Sequence, residues 1–253
     1  MAVTLTYDPR LARVRLSAGG VTGDTAVVER STDQIRWTAV RGGAAVAVTS
    51  GSVAADDYEF APGVANWYRV RGNNSQSAQI TPVIGEVWLK SIARPFLNRT
   101  VTVSDVSDIA RPARRGIHDV KGRSLPVAVS DVRGSRQWTM SVVTLTDEQR
   151  WNLELLLATG DTLLVQVPAG SRVPAGYVSV GDTSQQIHAF DAVSEVALPL
   201  TEVAAPGPDV VGATVTWQTV LARYATWADV LAAHPTWVDL MTLIGDPSEV
   251  IVP

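Results

Sequence analysis

The sequence predicts a mainly β protein in three parts. Residues 1–84 read as a β-sandwich, residues 85–205 as a split β-barrel or antiparallel sheet with one helix, and residues 206–253 as a strand followed by short helices in a Trp repeat. Three observations carry this prediction. The chain is 46% hydrophobic and only 18% charged, with Val, Ala and Thr abundant, a composition of ordered β structure rather than disorder. Short alternating runs recur between Gly, Pro, Asn and Asp breakers, the pattern of strands joined by turns. Helical signals are confined to one capped Leu-rich segment and to the C-terminal repeat.

The first part holds about seven strand candidates. Val3, Leu5 and Tyr7 alternate before Asp8-Pro9, and Val14-Arg-Leu16 ends at Gly19-Gly20. Ala26–Arg30 and Ile35–Val40 flank the turn Ser31–Gln34. Ala44–Val48, Tyr58–Phe60, Trp67–Arg71 and Ser77–Ile80 complete the set. Seven short strands at this spacing mean a sandwich. Asp56-Asp57 is read as an exposed turn, because no further oxygen ligands at fixed spacing accompany it as calcium would require. Glu29 is read as an exposed strand position, and Trp37 and Trp67 as core tryptophans.

The segment from Glu29 to Gly42, and that from Asp57 to Arg71 with Tyr68 ahead of Arg-Val-Arg, resemble the third and sixth strands of the fibronectin type III family. The resemblance implies a fold and no ligand.

The second part resumes with the strands Glu86–Lys90 and Thr100–Val103. Arg111, Arg114, Arg115, Lys121, Arg123, Arg133 and Arg136 then cluster around a basic breaker segment. Stacking aromatics do not interleave with these cations as a nucleic-acid groove would want. They read as solvated loops or intersubunit salt bridges. Pro126–Val129 and Trp138–Val143 are taken as successive strands. Thr146-Asp-Glu-Gln149 is a capping-box signature, Trp151, Leu153, Leu155, Leu156 and Leu157 follow it, and Gly160 stands at C′. Together they predict a helix over 147–158 whose Leu-rich side lies across a sheet. Leu163–Val167, Tyr177–Val180 and Ala192–Val203 are further strands.

The last part is organised by a repeat. Thr216-Trp-Gln-Thr-Val-Leu, Thr226-Trp-Ala-Asp-Val-Leu and Thr236-Trp-Val-Asp-Leu-Met recur every ten residues. Thr226 and Thr236 stand at N-cap positions, with Asp229 and Asp239 at N3 near the positive helix end. Helices this short need tertiary contacts. The repeat is therefore a cap packed on its own chain, a docking element, or an aromatic cage. The docking reading assigns Trp217, Trp227, Trp237, Leu231 and Leu240 to a partner surface, since interface energy concentrates in large aromatic anchors.

Ala197–Val203, the Pro-rich linker after it, Val211–Trp217 and the Thr-Trp-x-Asp-Val-Leu units resemble minor tail proteins, distal-tail-like, of long-tailed phages infecting actinobacteria. The likeness runs from about residue 86 to the end, and fibronectin-like modules are common in such proteins. It implies a structural component of the tail tip or baseplate. Such a component would assemble as a homo-oligomeric ring or cap and join the tube to hub and receptor-binding proteins. It also implies a virion location after synthesis in the host cytoplasm. A host cell-surface glycan is the alternative partner, with the chain acting as an adhesin whose Trp37 or Trp67 would stack on sugar rings in place of a core position.

Catalytic patterns are sparse. Cysteine is absent, which excludes thiolate chemistry, and His118, His188 and His234 stand far apart without metal-ligand spacing. Of the carboxylates available for a paired-acid site (Glu29, Asp57, Glu148, Glu154, Glu195 and Glu202), none is singled out by spacing. No enzyme activity, metal or cofactor is expected. The net charge of −4 gives no reason for specific nucleic-acid binding. No apolar run approaches a membrane span, and the N-terminus lacks the basic start and apolar core of a signal peptide.

Overall fold

Alternation governs the first body of the structure, a computed structural model that describes residues 3–71, 77–187, 192–207, 224 and 226–235. Strands β1 (Val3–Asp8), β2 (Arg13–Gly19) and β6 (Ser52–Asp57) form one sheet. Strands β4 (Thr38–Ala39), β3 (Thr25–Ser31), β7 (Asn66–Arg71) and β8 (Ala78–Ile80) form the other, in that order, and β5 (Val46–Ala47) pairs the start of β3. Side chains of a strand point to opposite faces in turn. Val14, Leu16 and Ala18 of β2 therefore meet Val28, Tyr68 and Val70 in one core, making the expected sandwich.

The strand expected over Ile35–Val40 shrinks to two residues. The Asp33 carboxylate accepts the backbone N–H groups of Ile35 and Arg36, both at 2.8 Å. Those bonds hold its carboxyl below the usual range and offer the backbone a turn in place of a ladder.

The second body is a six-stranded antiparallel barrel. Its strands run in the order β13 (Gln137–Thr144), β10 (Arg99–Val106), β9 (Val87–Ser91), β14 (Leu163–Gln166), β15 (Gly176–Val180) and β17 (Ser194–Glu202). Pairing of β17 back onto β13, from Gln137↔Thr201 to Thr144↔Ser194, closes the ring. Helix α1 occupies Asp147–Ala158, as predicted. The Thr146 hydroxyl accepts the Gln149 N–H at 3.2 Å, and the Gln149 side chain reaches back to the Leu145 N–H at 2.8 Å. Gly160 terminates the helix at φ +63°, donating its N–H to Leu157. Leu153, Leu155 and Leu156 bury into the barrel core beside Met140, Val142 and Leu198.

Three strands, β6, β11 (Arg115–His118) and β16 (Ser184–Ile187), were not foreseen, and the strand expected at Tyr58–Phe60 is instead the bend that follows β6. Val127–Ser130 (β12) does not run beside β13. It pairs with β11, inside the segment read as a basic breaker, as a separate two-stranded sheet. Strand β16 carries β15 on along the same edge of β17, with the register offset by one residue.

The two bodies share a polar seam. On β9, Trp88 joins the sandwich core while Leu89 joins the barrel core. Lys90 faces the sandwich again, and its ammonium donates to the carbonyls of Ala12 at 2.6 Å and Tyr58 at 2.8 Å. Gln166 donates to the Phe60 carbonyl, and the Tyr177 hydroxyl donates to Glu59, which also pairs with Arg41.

Candidate docking site

Of the repeat, the second copy lies within the described residues. It forms the short helix α2, Trp227–Ala233. The capping box is complete: the Thr226 hydroxyl accepts the Asp229 N–H at 3.3 Å, and the Asp229 carboxylate accepts the Thr226 N–H at 3.0 Å. The reciprocal bonds satisfy two backbone donors that a helix start leaves open. At the other end the His234 N–H donates to Val230, and the Tyr224 hydroxyl lies 2.9 Å from His234 Nε2.

The helix has two unlike faces. Val230 is 5% exposed, whereas Trp227 is 56% and Leu231 64% exposed. Trp227 and Leu231 are four residues apart and therefore neighbours on one face. Interface energy concentrates in tryptophan, so exposed Trp227 is the anchor candidate, with Leu231 as apolar surface beside it. Trp217, Trp237 and Leu240, the other members of the predicted docking set, lie outside the described residues.

The charges of the sandwich correct the sequence reading. Asp56-Asp57 ends strand β6 instead of forming an exposed turn, and Asp57 is buried. Its carboxylate accepts the Tyr68 hydroxyl at 2.7 Å and the Arg30 guanidinium at 2.6 Å. Burial and this carboxylate push the Tyr68 hydroxyl up, so it stays a donor. Asp56 accepts from Arg13 at 2.8 Å, and burial pushes its carboxyl up. Glu29 is also buried, clamped between Arg69 at 2.7 Å and Arg71. Trp37 and Trp67 are half-buried rather than core residues. The Arg69 guanidinium stacks 4.1 Å above the Trp37 ring, and Trp67 stands across from Ser31 on the neighbouring strand.

The remaining carboxylates are dispersed. Glu148 sits in the first turn of α1, Glu154 is exposed, Glu195 accepts from Ser104 at 2.9 Å, and Glu202 pairs with Arg136. His118 is exposed on β11, and His188 lies outside the described residues. Among the described residues no group of three or more His, Asp or Glu could hold a metal ion, and no helix is long and apolar enough to cross a membrane.

Sequence reasoning missed one surface. From Ser107 to Arg133 every described side chain is exposed except half-buried Gly116, and the segment includes Ile117, Leu125, Val127, Val129 and Val132. Its legible signal was one short apolar run, Leu125–Val129, set between basic stretches with no second apolar segment beside it to build a core. No protein-family model matches the chain, and no curated protein sequence matches it.

Proposed function

We propose that the chain is a structural component of a phage tail tip or baseplate, assembling as a ring or cap between the tail tube and the host-recognition parts. The reading rests on the sequence likeness of residues 86 to the end. The observation that carries it further is the exposed Trp227–Leu231 pair on a capped helix. Hydrophobic surface of this kind is worth roughly 1.5–3 kcal/mol per large side chain once covered. In this role the chain works through complementary surfaces and takes no catalytic part.

Immunogold microscopy on intact particles tests the proposal. Label at the end of a tail is the expected result. Unlabelled particles in a culture whose cells contain abundant protein would overturn it. A Trp227→Ala, Trp237→Ala double variant should keep the β bodies folded and lose incorporation into particles, and normal incorporation would remove the docking role of the repeat.

A second reading, a host-surface glycan adhesin, is favoured by the half-buried positions of Trp37 and Trp67. Both rings are held on the sandwich surface, where a sugar face could stack. Full-length protein on a glycan array, with and without Trp37→Ala, separates the two. Binding that disappears in the variant would support the adhesin.

A further inference from the structure

Between β10 and β13 the chain leaves the barrel as an arm. Its root continues the β10–β13 ladder: the Ser107 N–H donates to Thr139 at 2.9 Å, and Ala110 and Gln137 exchange backbone bonds of 2.8 and 2.9 Å. Farther out, β11 and β12 pair from Arg115↔Ser130 to His118↔Val127. Directly opposed residues share a face. Ile117 therefore lies beside Ala128 on one face, while Val127 and Val129 lie with His118 and Gly116 on the other. Both faces bring apolar side chains into water, and Leu125 and Val132 are 78% and 77% exposed. A lone two-stranded hairpin is marginal in water, and an exposed apolar one is a template for pairing.

Charge says what covers it. Residues 107–134 carry Arg111, Arg114, Arg115, Lys121, Arg123 and Arg133 against Asp108, Asp119 and Asp131, a net +3 in a chain of net −4. None of these six cations has an ion pair among the described residues. The rest of the chain is thus −7, and residues 137–202 alone hold eight carboxylates against Arg150 and Arg172. Part of that acid borders a cleft of about 470 Å³ between the end of α1 and the β15–β16 junction, where Glu154, Asp161 and Asp182 stand. Asp161 is paired with Arg94 at 3.3 Å and Arg150 with Asp147 at 3.2 Å, which leaves Glu154 and Asp182 as the acid facing the cleft. Trp151 on α1 and Ile187 on β16 add exposed apolar surface nearby.

The arm is not seated on this cleft in its own chain, and none of its residues lines it. Its side chains from Ser107 to Arg133 are exposed, and Arg114, Arg115 and Arg123 make no ion pair with Glu154 or Asp182 of the same chain. We infer that the basic arm of one copy docks on the acidic α1–β16 cleft of a second copy. An arm on one copy and a different surface as its acceptor on the next make a heterologous contact, which closes into a ring or runs on as a filament. The inference deepens the assembly reading above and rests on it for its biological setting.

Sedimentation equilibrium of the full chain tests it. Three proteins are compared with the wild type: an arm variant (Arg114→Glu, Arg115→Glu, Arg123→Glu), a cleft variant (Glu154→Lys, Asp182→Lys), and the two combined. All five substitutions replace exposed side chains, so the folded bodies are retained. The wild type should self-associate, less so at high salt. Each single-sided variant should associate about tenfold more weakly or worse, and the combined variant should recover. A monomeric wild type overturns the inference and points to a different protein as the arm's partner. Association indifferent to the arm variant, or unrecovered in the combined one, also overturns it. A monomeric chain found on tail tips would remove the docking and keep the tail; charge-swapped assembly of a chain absent from particles would do the reverse.

Discussion

The sandwich with its barrel seam and the β11–β12 arm treat their charged groups in opposite ways. In the sandwich and at its seam, Glu29, Asp57 and Lys90 are buried, and each is bound by named partners. In the arm, six cations stand in water without ion pairs among the described residues. A buried charge without a partner is far too costly to persist, so the seam had to solve its electrostatics within the chain. An exposed charge carries no such penalty and can be kept for another molecule. The first arrangement fixes how this chain folds, and the second fixes what it can meet.

The sharpest way to break the comparison is at Asp57. Replacing it by Ala leaves the Arg30 guanidinium and the Tyr68 hydroxyl without their shared acceptor. Removing one partner of a buried pair costs about 3–5 kcal/mol. Urea unfolding should show a loss of that size. A loss below about 1 kcal/mol, the range of exposed pairs, would place Asp57 with the arm's charges instead.

Lys90 tests the seam through pH. Burial pushes its ammonium down from the ordinary lysine value to about 7, while the nearby carboxylates Asp57 and Glu59 oppose the shift. Between pH 7 and the unfolded value near 10.5 the unfolded chain binds more protons than the folded one. Stability therefore rises with pH across that window and is flat below it. In Lys90→Met this rise should vanish, a difference on the order of a few kcal/mol between the two proteins from pH 7 to 10. Parallel pH profiles would show that the two carbonyls and the Phe60 ring, 4.8 Å from Nζ, hold the ammonium charged.

A smaller loss is expected at the helix cap. Thr146→Ala should cost about 1 kcal/mol, because the Gln149 N–H loses its acceptor. An unchanged thermal midpoint would show that the cap contributes nothing. Helix α1 also shows what the sequence made legible. Its start, length and glycine stop depend on residues within a few positions of one another. The sandwich strands are legible for the same reason, since alternation is local. Barrel closure is not local, because β13 meets β17 across some 60 residues. The burial of Glu29 was hidden likewise: its clamps, Arg69 and Arg71, stand 40 and 42 positions away. Read alone, Glu29 in an alternating run looks like any solvent-facing strand residue. Of the docking set, the capping pattern made α2 legible, and the exposure of Trp227 and Leu231 required the fold.

The arm supplies the smallest effect, and its smallness is the point. Ile117→Ser with Val129→Ser removes one apolar side chain from each face of the hairpin. Neither residue belongs to either core. In dilute, monomeric protein the unfolding free energy should change by no more than about 0.5 kcal/mol, the range for exposed positions away from special features. A core Ile→Ala change, in contrast, costs roughly 2–5 kcal/mol. If the double variant lost several kcal/mol as a monomer, the hairpin would be packing on its own barrel, and the contrast between seam and arm would collapse. If stability holds while self-association weakens, the apolar side chains of the arm act only where a second molecule covers them.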